Sequence, residues 1–78
     1  DNAYRIQLMS SYSATEIKNF SQKNRQQISL QCFKSMRPEG NWYVITTGRY
    51  WSRAEAEAAI NQLPANLKQS NLAVRLFN

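Results

Sequence analysis

The sequence has no histidine, a single cysteine, two glycines and only five acidic residues among its 78 residues. Without histidine, the Ser-His-Asp and Cys-His pairs that activate nucleophiles cannot form, and most metal sites lose a ligand. The single thiol, Cys32, can form neither an internal disulfide nor a cysteine cluster around a metal. Two glycines do not make a glycine-rich phosphate loop. We therefore expect a protein that is not an enzyme and that carries no cofactor.

Long hydrophobic runs are also missing from the chain. No apolar stretch approaches the roughly 20 residues that a membrane-spanning helix needs, and no signal peptide is visible. Hydrophobic residues still make up 42% of the sequence, which is enough for a packed core in one small domain. We expect residues 1–78 to be a single domain and, because the chain begins at Asp1, one excised from a longer protein.

Acidic residues are outnumbered ten to five by lysine and arginine, so the formal net charge is +5. The cations are scattered along the chain without a run of like charge, which argues against a dedicated polyanion-binding tract. A modest preference for anionic partners is what the charge alone indicates.

What the sequence does contain is a strand–turn–helix pattern over residues 42–55. Its first half is aromatic and β-branched, which is typical of a strand, and Gly48 then allows the chain to turn. Ser52 and Glu55 have the spacing of a capping box, in which the serine hydroxyl accepts from the glutamate N–H and the glutamate reaches back. The pattern predicts a strand followed closely by a helix.

The same pattern occurs once more near the start of the chain. Tyr4 occupies the position of Tyr43, and Ser13 and Glu16 repeat the capping box. Two strand–helix units are therefore expected, and each needs a further strand to cover its apolar face.

Alternation and turn signals along the whole chain complete this pattern. They predict strands over residues 4–9, 28–36, 42–47 and 72–77, helices over residues 13–24 and 53–63, a hairpin turn over residues 37–41 and a polar connection over residues 64–71. The resulting order is β-α-β-β-α-β. We expect an α+β, ferredoxin-like fold with a four-stranded antiparallel sheet and both helices on one face.

The period-two alternation assigns the strand residues to the two faces of this sheet. The residues expected to face the helices are Tyr4, Ile6, Leu8, Ile28, Leu30, Cys32, Tyr43, Ile45, Thr47, Val74 and Leu76. The residues expected on the open face are Arg5, Gln7, Met9, Phe33, Trp42, Val44, Thr46 and Arg75. An uncovered face that mixes aromatic with polar side chains indicates a binding surface.

The carboxylates do not add catalysis to this surface. Glu16 and Glu55 are explained by helix capping, and Glu39 lies in the predicted hairpin turn. Glu57 points to a different side of the helix from Glu55. A glycosidase needs two carboxyl groups that flank one bond, and no such pair is indicated. The chain is therefore interpreted as a binding module.

Two ligands compete for the open face. Single-stranded nucleic acid suits the fold, because RNA-recognition domains stack bases on the aromatic residues of such a sheet. The third strand, however, lacks their basic-glycine-aromatic signature. Sugar suits the side chains better, because aromatic rings stack on pyranose faces while amides and hydroxyls bond sugar hydroxyls. The candidates for sugar contacts are Gln7, Ser10, Trp42 and Thr46. A protein-interaction module without a small ligand is a third possibility.

Three short motifs carry a resemblance to a known family. They are Ile6-Gln7-Leu8-Met9-Ser10, Trp42-Tyr43-Val44 leading to Gly48-Arg49-Tyr50, and Ser52-Arg53-Ala54-Glu55-Ala56. Together they resemble the SPOR (sporulation-related repeat) family over essentially the whole chain. Within this family, Trp42-Tyr43-Val44, Leu63-Pro64-Ala65 and the C-terminal tail look most like the DamX-type branch of cell-division proteins.

The resemblance implies a function and a location. It implies non-catalytic binding to the glycan strands of peptidoglycan, preferentially strands without stem peptides, which concentrate at the division septum. It also implies that the domain ends a protein anchored in the inner membrane by an N-terminal span and facing the periplasm. The partners expected are glycan strands and other division proteins, with no nucleic acid.

The resemblance also places individual residues. Gln7 and Ser10 match the glycan-binding strand end of the family. Met9 stands where the family has Gly, or Ser in the DamX-type branch, and so changes how closely a sugar approaches. Leu72 stands where DamX-type domains carry Trp, so a stacking contact is lost or moves to Trp42 or Trp51.

The arginines of the open face have two interpretations. Arg5 and Arg75 are either ordinary solvated cations or contacts to the side chain of muramic acid, and of the two only Arg5 is included in the predicted site. The full set of candidate glycan-binding residues is Gln7, Ser10, Trp42, Thr46, Phe33, Met9, Arg5 and Leu72.

Overall fold

The computed structural model describes residues 2–68 and 72–77. Its elements are β1 (Ala3–Ser11), α1 (Ala14–Asn24), β2 (Gln31–Arg37), β3 (Gly40–Tyr50), α2 (Arg53–Ile60), α3 (Ala65–Lys68) and β4 (Ala73–Phe77). The four strands form one antiparallel sheet in the order β2-β3-β1-β4. The predicted α+β architecture is confirmed, with the short helix α3 as an addition. No helix in the described part of the chain is long and apolar enough to cross a membrane.

Both predicted helix N-caps are present. The hydroxyls of Ser13 and Ser52 accept from the backbone N–H groups of Glu16 and Glu55, at 3.1 Å in each case. The return contacts differ from the simple capping box. Glu16 accepts from the Ser11 hydroxyl, which itself accepts from the Ser13 N–H at 2.9 Å. Glu55 accepts, at 3.1 Å, from the N–H of the residue before its N-cap. Each return contact thus involves a residue outside the four-residue motif.

The core lies between the sheet and the helices. Ile6 and Leu8 of β1, Ile45 of β3, Ile17 of α1 and Ala56 of α2 form one buried cluster. Because both helices contribute to the same cluster, they pack on the same face of the sheet. Burying a side chain the size of Ile or Leu stabilises the fold by about 1.5–3 kcal/mol. The alternation of β1 and β3 therefore determines which face of the sheet packs against α1 and α2, and neither of these helices covers the opposite face.

The chain after α2 departs from its predicted course. The helix ends at Ile60, earlier than expected, and Pro64 starts α3 by accepting from the N–H of Leu67 at 2.9 Å. Proline lacks an N–H, so it cannot extend the ladder of α2, but it is well suited to the start of a new helix. Leu67 is buried. The predicted polar connection over residues 64–71 therefore contains a short helix with a buried leucine. Its last residues, 69–71, lie outside the described residues.

β1 is an irregular strand. Gln7 pairs with Thr46, whereas Met9, two residues further on, pairs with Ile45, so β1 accommodates one extra residue as a bulge. Met9 consequently packs against the core cluster on the helix side. The prediction that Met9 lies on the open face is wrong, because alternation places side chains correctly only while the pairing is continuous.

The edge strands are less buried than the alternation suggests. β2 begins at Gln31 instead of Ile28, and every residue after Gln31 in this strand is exposed. Cys32 pairs with Ile45 and so points to the helix side, but it is exposed, which corrects its assignment to the core. Leu76 of β4 is likewise 48% exposed. A sheet margin has a neighbouring strand on one side only, so its side chains receive less cover than those of β1 and β3.

Candidate functional site

The sheet face opposite the helices carries a groove with a volume of about 480 Å³, within the usual range of small-molecule sites. Its lining includes four of the predicted site residues, namely Gln7, Ser10, Phe33 and Trp42. We call this cavity the open-face groove. It gathers side chains from all four strands, so it exists only in the folded sheet.

Gln7 and Ser10 reach the groove together because of the bulge between them. In an uninterrupted strand, residues three apart point to opposite faces. The extra residue shifts the register, so Ser10 pairs with Val44 and returns to the side that Gln7 occupies opposite Thr46. The two residues that match the family motif therefore share one surface, which regular alternation would not have allowed.

One end of the groove is built on Trp42. Its ring meets the Tyr12 ring edge-on, with centroids 4.7 Å apart, and the Arg37 guanidinium lies 4.5 Å from the Trp42 ring centroid. Arg37 donates to the Tyr12 hydroxyl at 3.3 Å, and that hydroxyl donates to Glu39 at 3.3 Å. Trp42 is thus half-buried, with the Arg37 guanidinium over its ring, and both side chains line the groove.

The other end of the groove is covered by two phenylalanines. The rings of Phe33 and Phe77 stack with centroids 4.7 Å apart, although β2 and β4 are separated by two strands, a span of about 14 Å. The rings therefore arch over the middle of the sheet. Phe77 extends the alternation of β4 that begins with Ala73 and Arg75, so the period-two pattern was the signal that could have identified it.

Thr46 lies on this face by register but is completely covered. It is 0% exposed, and its hydroxyl donates to Gln31 Oε1 at 2.7 Å. The prediction that Thr46 offers a hydrogen bond to a ligand on an exposed surface is wrong. Thr46 lies between Gln7 of β1 and Gln31 of β2, its partners in the two neighbouring strands. Alternation within one strand cannot predict how neighbouring strands cover a side chain.

Arg5 and Arg75 stand side by side on the open face, since they pair directly between β1 and β4. Arg5 is held in place because its Nη1 donates to the Gly48 carbonyl at 3.1 Å and its guanidinium lies 5.4 Å from the Phe33 ring centroid. Its Nε is buried without a hydrogen-bond partner in the described structure. Arg75 is exposed and lines the groove.

Leu72 and Trp51 lie away from the groove. Leu72 packs against the core cluster. Trp51 is 86% exposed beside a small hollow at the start of β1. The structure therefore brings neither residue to the other predicted site residues.

Much of the positive charge of the groove comes from residues that the sequence patterns did not indicate as part of a site. Lys34 and Arg37 line it together with Arg75, and among the described lining residues there is no aspartate or glutamate. Arg37 was assigned only to the hairpin turn. In residues 2–68 and 72–77 there is also no group of three His, Cys, Asp or Glu side chains that could hold a metal ion. The arrangement suits hydrogen bonding, ring contacts and attraction of anions.

A four-stranded antiparallel sheet with helices on one face and a polar, aromatic groove on the other defines a small α+β ligand-binding domain. The family model of the SPOR domain matches residues 1–75, and the chain belongs to this family. SPOR domains bind peptidoglycan and target proteins to the division septum. No curated protein sequence matches the chain significantly.

Proposed function

We propose that this domain binds peptidoglycan through its glycan strands, which lie in the open-face groove. The observation that carries the proposal is the bulge of β1, which brings Gln7 and Ser10 onto the groove wall near Trp42. The Gln7 amide both donates and accepts, so it can bond a sugar hydroxyl or an N-acetyl group, and the Ser10 hydroxyl can do the same. An aromatic ring beside them suits the apolar face of a pyranose.

We further propose a preference for strands that have lost their stem peptides. The groove is bounded by the Arg37–Trp42 pair at one end and by the Phe33–Phe77 rings at the other. A linear sugar chain can pass between these boundaries, whereas a peptide branching from every second sugar would meet one of them. Stripped strands therefore fit the groove with fewer collisions.

The proposed biological role is targeting. We infer that residues 1–78 are the C-terminal domain of a longer inner-membrane protein of the DamX-type branch, facing the periplasm. Binding to stripped glycan would then concentrate the parent protein, and any division proteins bound to it, at the septum. The family membership supports this role.

Co-sedimentation with purified sacculi tests the proposal. The chain is incubated with sacculi that are either untreated or pretreated with an amidase that removes stem peptides, and the bound fraction is measured. We expect binding to both, with a larger bound fraction after amidase treatment. Absence of binding to either preparation would contradict the proposed function, and equal binding to both would contradict the preference for stripped strands.

A further inference from the structure

We propose that the open-face groove selects sugar chains that carry carboxylate groups, and that Arg75, beside Arg5, pairs with one of these carboxylates. This inference rests on the proposed function and names the chemistry that the groove recognises. It concerns which glycan is bound, whereas the proposed function concerns whether glycan is bound at all.

The first observation is the uncompensated charge of the groove. Lys34, Arg37 and Arg75 line it, and no acidic residue is found among the described lining residues. The carboxylate of Glu39 is linked to Arg37 through the Tyr12 hydroxyl, which accepts from Arg37 and donates to Glu39, and Glu39 itself does not line the groove. Cations gathered in a concave site raise the local concentration of anionic ligands. A neutral sugar would not need this charge.

The second observation is the pairing of Arg5 with Arg75. The two residues are direct partners in the β1–β4 ladder, where Cβ atoms lie about 4.5–5.5 Å apart and like charges destabilise the sheet. Arg5 cannot easily move away, because it bonds the Gly48 carbonyl and lies against Phe33. Within the described residues, no group accepts a hydrogen bond from the Arg75 guanidinium. A bound anion would relieve the repulsion between these two guanidinium groups.

The third observation is the chemistry of the exposed cation. The planar guanidinium of Arg75 offers paired N–H donors that match a carboxylate in a two-point contact. Arg37 supplies a second cation that is already positioned over Trp42 and bonded to Tyr12. A chain with carboxylates at regular intervals would therefore meet arginine at more than one place along the groove.

Stripped peptidoglycan is such a chain. The lactyl group of muramic acid is a neutral amide while it carries a stem peptide, and it becomes a free carboxylate when the peptide is removed. The charge of the groove thus provides a chemical reason for a preference for stripped strands, in addition to the steric one.

The test compares two soluble glycans with the complete chain. One is amidase-stripped glycan strands, and the other is the same strands with their carboxylates converted to methylamides by carbodiimide coupling. We expect the chain to bind the free acid about tenfold more tightly than the methylamide, as is typical of a hydrogen bond to a charged group. Arg75→Gln should lose most of this ratio. Lys18→Gln, which removes the same charge from the exposed surface of α1, should keep it.

The outcomes separate this inference from the proposed function. Equal affinity of the unmodified chain for both glycans would overturn the inference and leave the proposed function standing. An equal loss of selectivity in Arg75→Gln and Lys18→Gln would also overturn it, since net charge and not Arg75 would then be responsible. Binding of neither glycan would overturn both. Circular dichroism of each variant verifies that it is folded.

Discussion

Gln7 and Ser10 lie on the same face of the sheet because β1 contains a bulge between them. Their residue types point to sugar binding, and the bulge decides that both side chains serve one surface. Met9 illustrates the same effect in the opposite direction, because the bulge turns it towards the core. At the scale of single residues, the local register therefore matters as much as the residue type.

Substitution of Gln7 tests its role in the groove. Gln7→Ala should weaken binding to stripped sacculi, because the variant loses the amide that bonds the sugar, while the melting temperature should change little for a partly exposed strand residue. Gln22→Ala, on the exposed surface of α1, is the matched control and should bind like the parent chain. A large fall in melting temperature for Gln7→Ala would show that this side chain mainly stabilises the sheet.

Thr46 provides the contrasting case of a structural hydroxyl. Thr46→Val keeps the shape of the side chain but removes the hydrogen bond to Gln31, and the expected loss is about 1–3 kcal/mol of unfolding free energy in urea denaturation. Thr15→Val, at an exposed position of α1, should leave stability nearly unchanged. If Thr46→Val kept full stability and lost glycan binding, the assignment of Thr46 as a covered structural residue would be wrong.

The two strand–turn–helix units show how similar sequences build similar elements. Both helices begin with a serine whose hydroxyl accepts from the N–H of a glutamate three residues later. The strands that lead to them differ, since β3 contains Gly48 with a φ of 82° and β1 has no glycine. Such a φ belongs to the left-handed region, which residues with a Cβ adopt only at a cost. The expectation that Gly48 ends the strand is wrong, because β3 continues to Tyr50, which still pairs with Tyr4 of β1.

Substitution of Gly48 tests this part of β3, where the pairing with β1 shifts register. In Gly48→Ala the added Cβ would overlap the ring of Tyr50, which packs against the core, and the backbone would also be strained. Gly40→Ala is the control, because its φ of 138° is strained as well but nothing lies within 4 Å of the added atom. We expect Gly48→Ala to lose at least about 1 kcal/mol more unfolding free energy than Gly40→Ala in urea denaturation. Equal losses would mean that the Tyr50 ring moves aside freely.

The whole molecule separates stability from binding by using the two faces of one sheet. The helices cover one face and bury the core cluster, while the other face holds the groove between its aromatic boundaries. Substitutions in the groove can therefore change ligand binding without removing side chains from the hydrophobic core. The net charge of +5 then acts over the whole surface, and it affects any polyanion that approaches.

Nucleic acid is a polyanion that this net charge could attract, so its binding must be measured. We expect single-stranded oligonucleotides to bind weakly at low salt and to lose that binding steeply as salt rises, because only counterion release drives it. Fluorescence anisotropy over a salt series measures this loss. Tight binding that persists at physiological salt and is displaced by stripped glycan would show that the groove accepts nucleic acid, contrary to our proposal.

The sequence alone determined the order of the strands and helices, the two serine caps and the core positions Ile6 and Ile45. These features depend on spacing within a few residues, where periodicity and capping act. Only the tertiary structure decided that Met9 faces the core and that Thr46 is covered. It also decided that the groove lies between the Arg37–Trp42 pair and the Phe33–Phe77 rings. These features arise where strands far apart in the sequence pair or bring their side chains together, and no local pattern records that pairing.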